Sequence, residues 1–145
     1  MVDGDDLCFD FNLYKRNHNK NGLVASNKKI ITGIFTNIIE FKSLKKIYDI
    51  SRNNKDTEMI EPFISRSKIR KNYIKIKNLY LNKKIRLTFD YNEDLKLLKI
   101  IFKKFKVFEK TETFVKFLQK NNNISKINYF REANWKENQQ IKISL

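Results

Sequence analysis

The side chains of this chain best placed to do chemistry are carboxylates, and they fall into three groups. Asp3, Asp5 and Asp6 crowd the N-terminus, Asp56-Thr57-Glu58 lies near the middle, and Asp90 follows the alternating run KIRLTFD. Carboxylates as close as Asp3, Asp5 and Asp6 repel one another unless a cation or solvent takes up the charge. A hard cation such as Mg²⁺ is satisfied by one or two carboxylates together with phosphate oxygens of a substrate. The competing reading is a solvated acidic turn. Asp90 stands where a strand passes into a helix, the position at which open α/β sheets place ligand chemistry. It also fits a purely structural role, since Asp90-x-x-Glu93 matches a capping box with Asp90 as N-cap and Glu93 at the third helical position. Asp56-Thr57-Glu58 either orients a polar substrate or caps the helix that follows.

Other chemistries have no footing. His18 stands alone among Asn and Lys, and Cys8 is the single cysteine, so zinc spacing and an internal disulfide are both missing. No G-x-S-x-G elbow, P-loop, G-x-G-x-x-G fingerprint or aromatic RNA-recognition pattern occurs. His18 is read as exposed, Cys8 as a small buried residue and Trp135 as a packing residue.

The elements that must carry these residues follow from periodicity. In Lys84–Leu98, Ile85, Leu87 and Phe89 alternate with Arg86, Thr88 and Asp90, which predicts a half-buried strand. From Asn92 the period becomes helical, with Leu95, Leu98, Ile101, Phe102 and Phe105 on one face, predicting a helix over Asn92–Lys104. Its acidic first turn and lysine-rich last turn suit the helix dipole. Upstream, the pattern predicts a short helix in Phe9–Asn19, a strand at Leu23–Ala25 and one or two strands around Gly33 in Ile30–Ile39. A helix in Glu40–Ser51 and a short helix opened by Asp56-Thr57-Glu58 follow, then a strand in Ile69–Lys77. Downstream it predicts a helix from Thr111 as N-cap to the Asn121-Asn122-Asn123 run, and a last helix over Arg131–Gln140. Mixed strands and helices in this order indicate an α/β domain.

The 145 residues are 41% hydrophobic and 13% aromatic, enough for one domain with one packed core. The N-terminus lacks the pattern of a signal peptide, and the longest apolar candidate, Ile30–Ile39, is too short and polar for a membrane span. A cytoplasmic protein is the expectation. Lys and Arg number 31 against 16 Asp and Glu, a formal charge of +15. The lysines are spread along the chain rather than clustered, which favours a solvated basic surface over a nucleic-acid partner.

Taken together, the motifs resemble a known family. Val2-Asp3-Gly4-Asp5-Asp6 is similar to the GD(D/E) strand end of the sugar cytidylyltransferases, the group that includes the 3-deoxy-manno-octulosonate and acylneuraminate enzymes and related spore-coat polysaccharide proteins. Arg86–Leu95, RLTFDYNEDL, resembles the family's R-L-T-x-D-x-x-E-D-L segment, with Asn92 where proline is frequent. Asp56-Thr57-Glu58 resembles an acidic motif after the central helix, and Asn128, Arg131, Trp135 and Gln139 resemble the tail of one branch. The resemblance covers nearly the whole chain but only the C-terminal half of the family's domain, without the N-terminal nucleotide-binding half. It therefore implies residues 1–145 as a single partial nucleotidyltransferase domain of Rossmann-like α/β sandwich type with a mixed sheet, inactive by itself.

The resemblance further implies a Mg²⁺-dependent reaction in which a sugar acid is activated by CTP to a CMP-sugar and pyrophosphate, for surface polysaccharide synthesis. Relatives are often dimers. Asp5 and Asp90 would be the metal carboxylates, and Asp3 and Asp6 neighbours that tune the site. Arg86 would meet a carboxylate or phosphate, or form an ion pair with Asp90. Glu58 would contact the sugar or support the site. The alternatives are a basic nucleic-acid-binding module and a non-catalytic interaction domain. The enzyme reading carries a geometric expectation: Asp5 and Asp90 converge on one metal-sized space at the carboxyl edge of the sheet.

Overall fold

A computed structural model describes residues 4–52, 60–82, 84–106 and 109–144, so Asp3 and Asp56-Thr57-Glu58 lie outside the described residues. In chain order the elements are α1 (Phe11–Asn17), β1 (Leu23–Ala25), β2 (Ile38–Ile39), α2 (Phe41–Ser51), α3 (Glu61–Arg66) and β3 (Lys71–Tyr73). A 3₁₀ turn (Asn78–Leu81), α4 (Asn92–Lys104), α5 (Thr111–Lys120), α6 (Asn122–Ser125) and α7 (Arg131–Ser144) complete the chain. The class is α/β. Among the described residues the sheet is small and mixed, in the order β2-β1-β3, with β1 antiparallel to β2 and parallel to β3.

β1 shows how so small a sheet can organise a domain. Successive side chains of a strand point to opposite faces. Leu23 enters a cluster with Ile47 of α2, Phe63 and Ile64 of α3, and Ile69. Val24 enters the larger cluster with Leu97 and Ile101 of α4, and Phe114, Val115 and Leu118 of α5. Helices thus cover both faces of the strand, the arrangement of a layered α/β domain. The helical spacing of Leu98 and Ile101 in α4, and of Phe114, Val115 and Leu118 in α5, is what presents these side chains together on one face.

Several local expectations are revised. Lys84–Asp90 is extended but forms no ladder. Its pairing is a single parallel bridge from Arg86 to Thr32, with the Leu87 amide donating to the Thr32 carbonyl at 2.8 Å. Ile30–Ile39 likewise contributes only that bridge and β2. The strand in Ile69–Lys77 shrinks to Lys71–Tyr73. Thr111 is not the N-cap of α5 but its first residue, and it is buried. Its hydroxyl donates to the carbonyls of Cys8 and Phe9 at 3.1 and 3.0 Å, tying α5 to the N-terminal acidic turn. α5 does end at the asparagine run, with Asn121 as its C-cap, but the chain then re-enters helix as α6, which the sequence pattern does not predict. No helix among the described residues is long and apolar enough to cross a membrane.

Candidate functional site

Gly33 decides how closely the Asp90 segment can approach the sheet side of the molecule. Its φ is +93°, a conformation that side chains other than hydrogen disfavour. A Cβ there would stand 2.4 Å from the Leu87 carbonyl group. The segment 85–90 therefore lies directly on the loop 31–34, and Asp90 comes out at the start of α4.

Asp90 is not the cap of that helix. The N-cap is Tyr91, and the residue at the third helical position is Asp94. One oxygen of Asp94 accepts the backbone N–H groups of both Asp90 and Tyr91 at 3.0 Å. The box proposed for Asp90 and Glu93 is thus shifted by one residue. Glu93 instead faces outward and takes a bidentate pair from Arg131, at 2.9 and 3.0 Å. Freed from capping, Asp90 presents a part-exposed carboxylate.

Arg86 holds that carboxylate by one oxygen. Its side chain is 0% exposed and ringed by acids. Nε donates to Asp94 Oδ1 at 3.1 Å, one terminal nitrogen donates to Glu132 Oε2 at 3.1 Å, and the other to Asp90 Oδ2. A guanidinium carries five N–H donors in a fixed fork, which is why one arginine can organise three carboxylates. Asn128, fully buried, reinforces the arrangement by donating to the Arg86 carbonyl at 3.1 Å and to Asp94 Oδ1 at 2.8 Å. Glu132 also accepts from the Thr32 hydroxyl at 3.0 Å and pairs with Lys136 at 2.6 Å. Arg86 is therefore committed to protein carboxylates, the ion-pair member of its two expected roles.

The N-terminal acidic turn is fastened independently. Asp6 is buried and accepts the Thr36 hydroxyl at 3.0 Å. Asp10 caps α1 by accepting the Asn12 amide at 2.9 Å, and its other oxygen accepts the buried Tyr80 hydroxyl at 2.7 Å. Asp5 directly precedes the anchored Asp6 and is partly exposed, with no side-chain hydrogen bond among the described residues.

Asp5 and Asp90 border the same cleft, of about 730 Å³, at the C-terminal end of β1. Thr36, Asn37, Glu61 and Thr88 add polar groups to its wall, and Trp135 and Gln139 of α7 close one side. Burial pushes the Asp90 carboxyl above its ordinary range. The Arg86 charge pulls it back down, while the Asp5 and Asp94 charges push it further up. The Asp5 contribution means that the two carboxylates feel each other across the cleft. Glu132 shifts the opposite way: burial would raise it, but hydrogen bonds from Lys136, Thr32 and Arg86 outweigh burial and lower it.

Carboxylates are the donors a hard cation takes, but the shared cleft is far larger than the single metal-sized space expected for Asp5 and Asp90. With Oδ2 of Asp90 held by Arg86, Oδ1 remains for the cleft, and Asp5 offers a second carboxylate. Among the described residues no three His, Cys, Asp or Glu side chains form a group that could hold a metal ion. Asp3 and Glu58 lie outside the described residues and receive no place in this geometry.

Sequence reasoning missed Asp94, Asn128 and Glu132 as the frame of the site and Trp135 as part of the cleft wall. A helix starting at Asn92 puts Asp94 at the third position, so the cap was readable by counting. Glu132 had no local signal, because its partners Thr32 and Arg86 are distant in sequence. Compared with protein-family models, with curated proteins and with solved structures, the chain matches none.

Proposed function

We propose that this cleft belongs to a CTP-dependent nucleotidyl-transfer site, in which a sugar acid is activated to a CMP-sugar with release of pyrophosphate. The setting is surface polysaccharide synthesis in the cytoplasm, and the fold is the C-terminal part of a Rossmann-like sandwich. The observation that carries the reading is that Asp5 and Asp90, remote in sequence and each inside a family-like motif, border one cleft.

The chemistry asks for what these residues offer. A sugar hydroxyl attacks the α-phosphorus of CTP and gives up its proton to solvent, the bond from that phosphorus to the bridging oxygen breaks, and pyrophosphate leaves with the electron pair. Such transfers are accelerated chiefly by positioning and by neutralising phosphate charge. Bound Mg²⁺ supplies that neutralisation. Asp90, fixed through Oδ2 by Arg86, and Asp5, fixed by the folded turn 5–10, would hold it. The Arg86 cage orients Asp90 without contacting substrate, and the close approach at Gly33 sets the depth at which Asp90 stands.

The test is pyrophosphate release from CTP and 3-deoxy-manno-octulosonate or an acylneuraminate by the protein that carries this chain. Asp5→Asn and Asp90→Asn should each lower kcat at least ~10²-fold, the order expected when a charge-stabilising group is lost. Chelation of divalent cations should stop turnover. If both variants keep full activity, the reading is wrong. Steeply salt-dependent retention on RNA or DNA by a protein indifferent to CTP would then favour the basic binding module.

A further inference from the structure

We propose that the α7 wall of the cleft is the acceptor subsite, with Trp135 as the platform on which the ring of a sugar acid stacks. The assignment rests on the nucleotidyl-transfer reading for the identity of the reaction, but its own support is separate. Trp135 lines the cleft together with Asp5 and Asp90. It is only partly buried, so part of the indole remains open at the cleft it lines. The buried Arg86 guanidinium stands 5.9 Å from the ring centroid, a cation–π contact that fixes the indole from the protein side. The same guanidinium holds Glu132, one helical turn before Trp135 on α7, so the helix carrying the platform is fastened at that turn.

The surroundings select the ligand class. Ligand sites combine an aromatic or apolar surface with a few placed polar groups. The polar groups that line the cleft with Trp135 are hydroxyls, amides and carboxylates, among them Thr36, Asn37 and Gln139. Such groups both donate to and accept from sugar hydroxyls, while the C–H face of a pyranose ring packs on the indole. Lys28, on the same cleft, offers a positive charge for the carboxylate of a sugar acid. Gln139 lies four residues beyond Trp135 on α7, on the same helical face, so one face of one helix carries both the stacking surface and a hydrogen-bonding group.

Residues 1–145 hold one tryptophan, so the emission of this 145-residue chain reports on this position alone. Titration with 3-deoxy-manno-octulosonate should give a saturable change in that emission, both with and without Mg²⁺. In turnover, Trp135→Ala should raise the KM for the sugar acid at least about tenfold, equivalent to ~1.4 kcal/mol, with the KM for CTP little changed. Trp135→Phe keeps an aromatic face and should recover most of the loss. Far-ultraviolet circular dichroism of both variants should match the wild type. An emission response to CTP alone, with the sugar acid silent, would overturn the assignment in favour of a base platform. An unchanged KM in Trp135→Ala would overturn it outright, while loss of turnover in Asp90→Asn would leave the reaction standing. A sugar-dependent emission change in a protein whose turnover is indifferent to Asp5→Asn and Asp90→Asn would do the reverse, sinking the reaction and supporting the platform.

Discussion

Asp90 and Asp94 are four residues apart, both touch Arg86, and their energetic roles are opposite. Asp94 is 0% exposed, and it accepts from Arg86, from Asn128 and from two backbone amides. Removing its charge leaves a buried guanidinium short of a partner, which costs about 3 kcal/mol or more. Asp94→Asn should therefore lower stability by roughly that amount in urea unfolding at neutral pH. Asp90 is part-exposed, and its carboxyl is raised by burial despite Arg86. The sign follows from linkage. A group whose folded pKa lies above its unfolded value of 3.8 binds protons more tightly in the folded state. The stability it contributes is complete below 3.8 and is lost as pH rises through the folded value. Asp90→Asn should accordingly gain on the wild type as pH climbs through that window. Unfolding curves at a series of pH values check this, and a variant that instead loses ground with rising pH would contradict it. A carboxylate kept ionised at some expense to the fold is what a functional group looks like. Asp94, with every contact made to protein, is what a structural one looks like.

At the scale of elements, the site depends on a contact too brief to count as sheet. The segments 31–34 and 85–88 meet through one bridge and one glycine. Gly33→Ala would have to open that contact, because the new methyl group overlaps the Leu87 carbonyl at 2.4 Å and φ is +93°. A loss of more than about 1 kcal/mol is expected, the scale for a side chain forced into an incompatible backbone. Asp90 should also be displaced, so divalent-cation affinity falls together with thermal stability. Unchanged affinity in a destabilised Gly33→Ala protein would separate the bridge from the site. The same brevity explains what could be read from the chain. α2, α4 and α5 were legible because each repeats an apolar face over several turns. β1 was legible at Leu23–Ala25 from its apolar character. Lys84–Asp90 has the alternation of a strand, yet Arg86 and Thr88 are as buried as Ile85 and Leu87 while Phe89 is exposed, so the alternation reported neither the covered face nor a backbone partner. The cap of α4 was misplaced because aspartate is a preferred N-cap residue, and that preference outweighed counting from Asn92. The links from Glu132 and Asn128 to Arg86 join parts of the chain that no local window contains.

The whole molecule sets a positive field around a cleft edged with carboxylates. Net charge is +15, while Asp5, Glu61 and Asp90 border the cleft. The two scales of charge act at different ranges. Close in, the carboxylates favour a cation. At low salt, where the Debye length grows to about 30 Å at 0.01 M, a molecule still outside the cleft meets mainly the summed charge, which attracts anions. On the proposed reading both ligands, CTP and a sugar acid, are anionic, and the basic surface would then raise their encounter rate. Stopped-flow measurement of the Trp135 emission during sugar-acid binding should then show an association rate that falls several-fold, on the order of tenfold, as salt rises from low to physiological strength. The dissociation rate should change little, because contacts inside the cleft are screened less than the approach. An association rate indifferent to salt would mean that the lysines are spaced too evenly to steer anything. The charge would then serve solubility alone, and the carboxylates would have to gather their ligands without help from the surface around them.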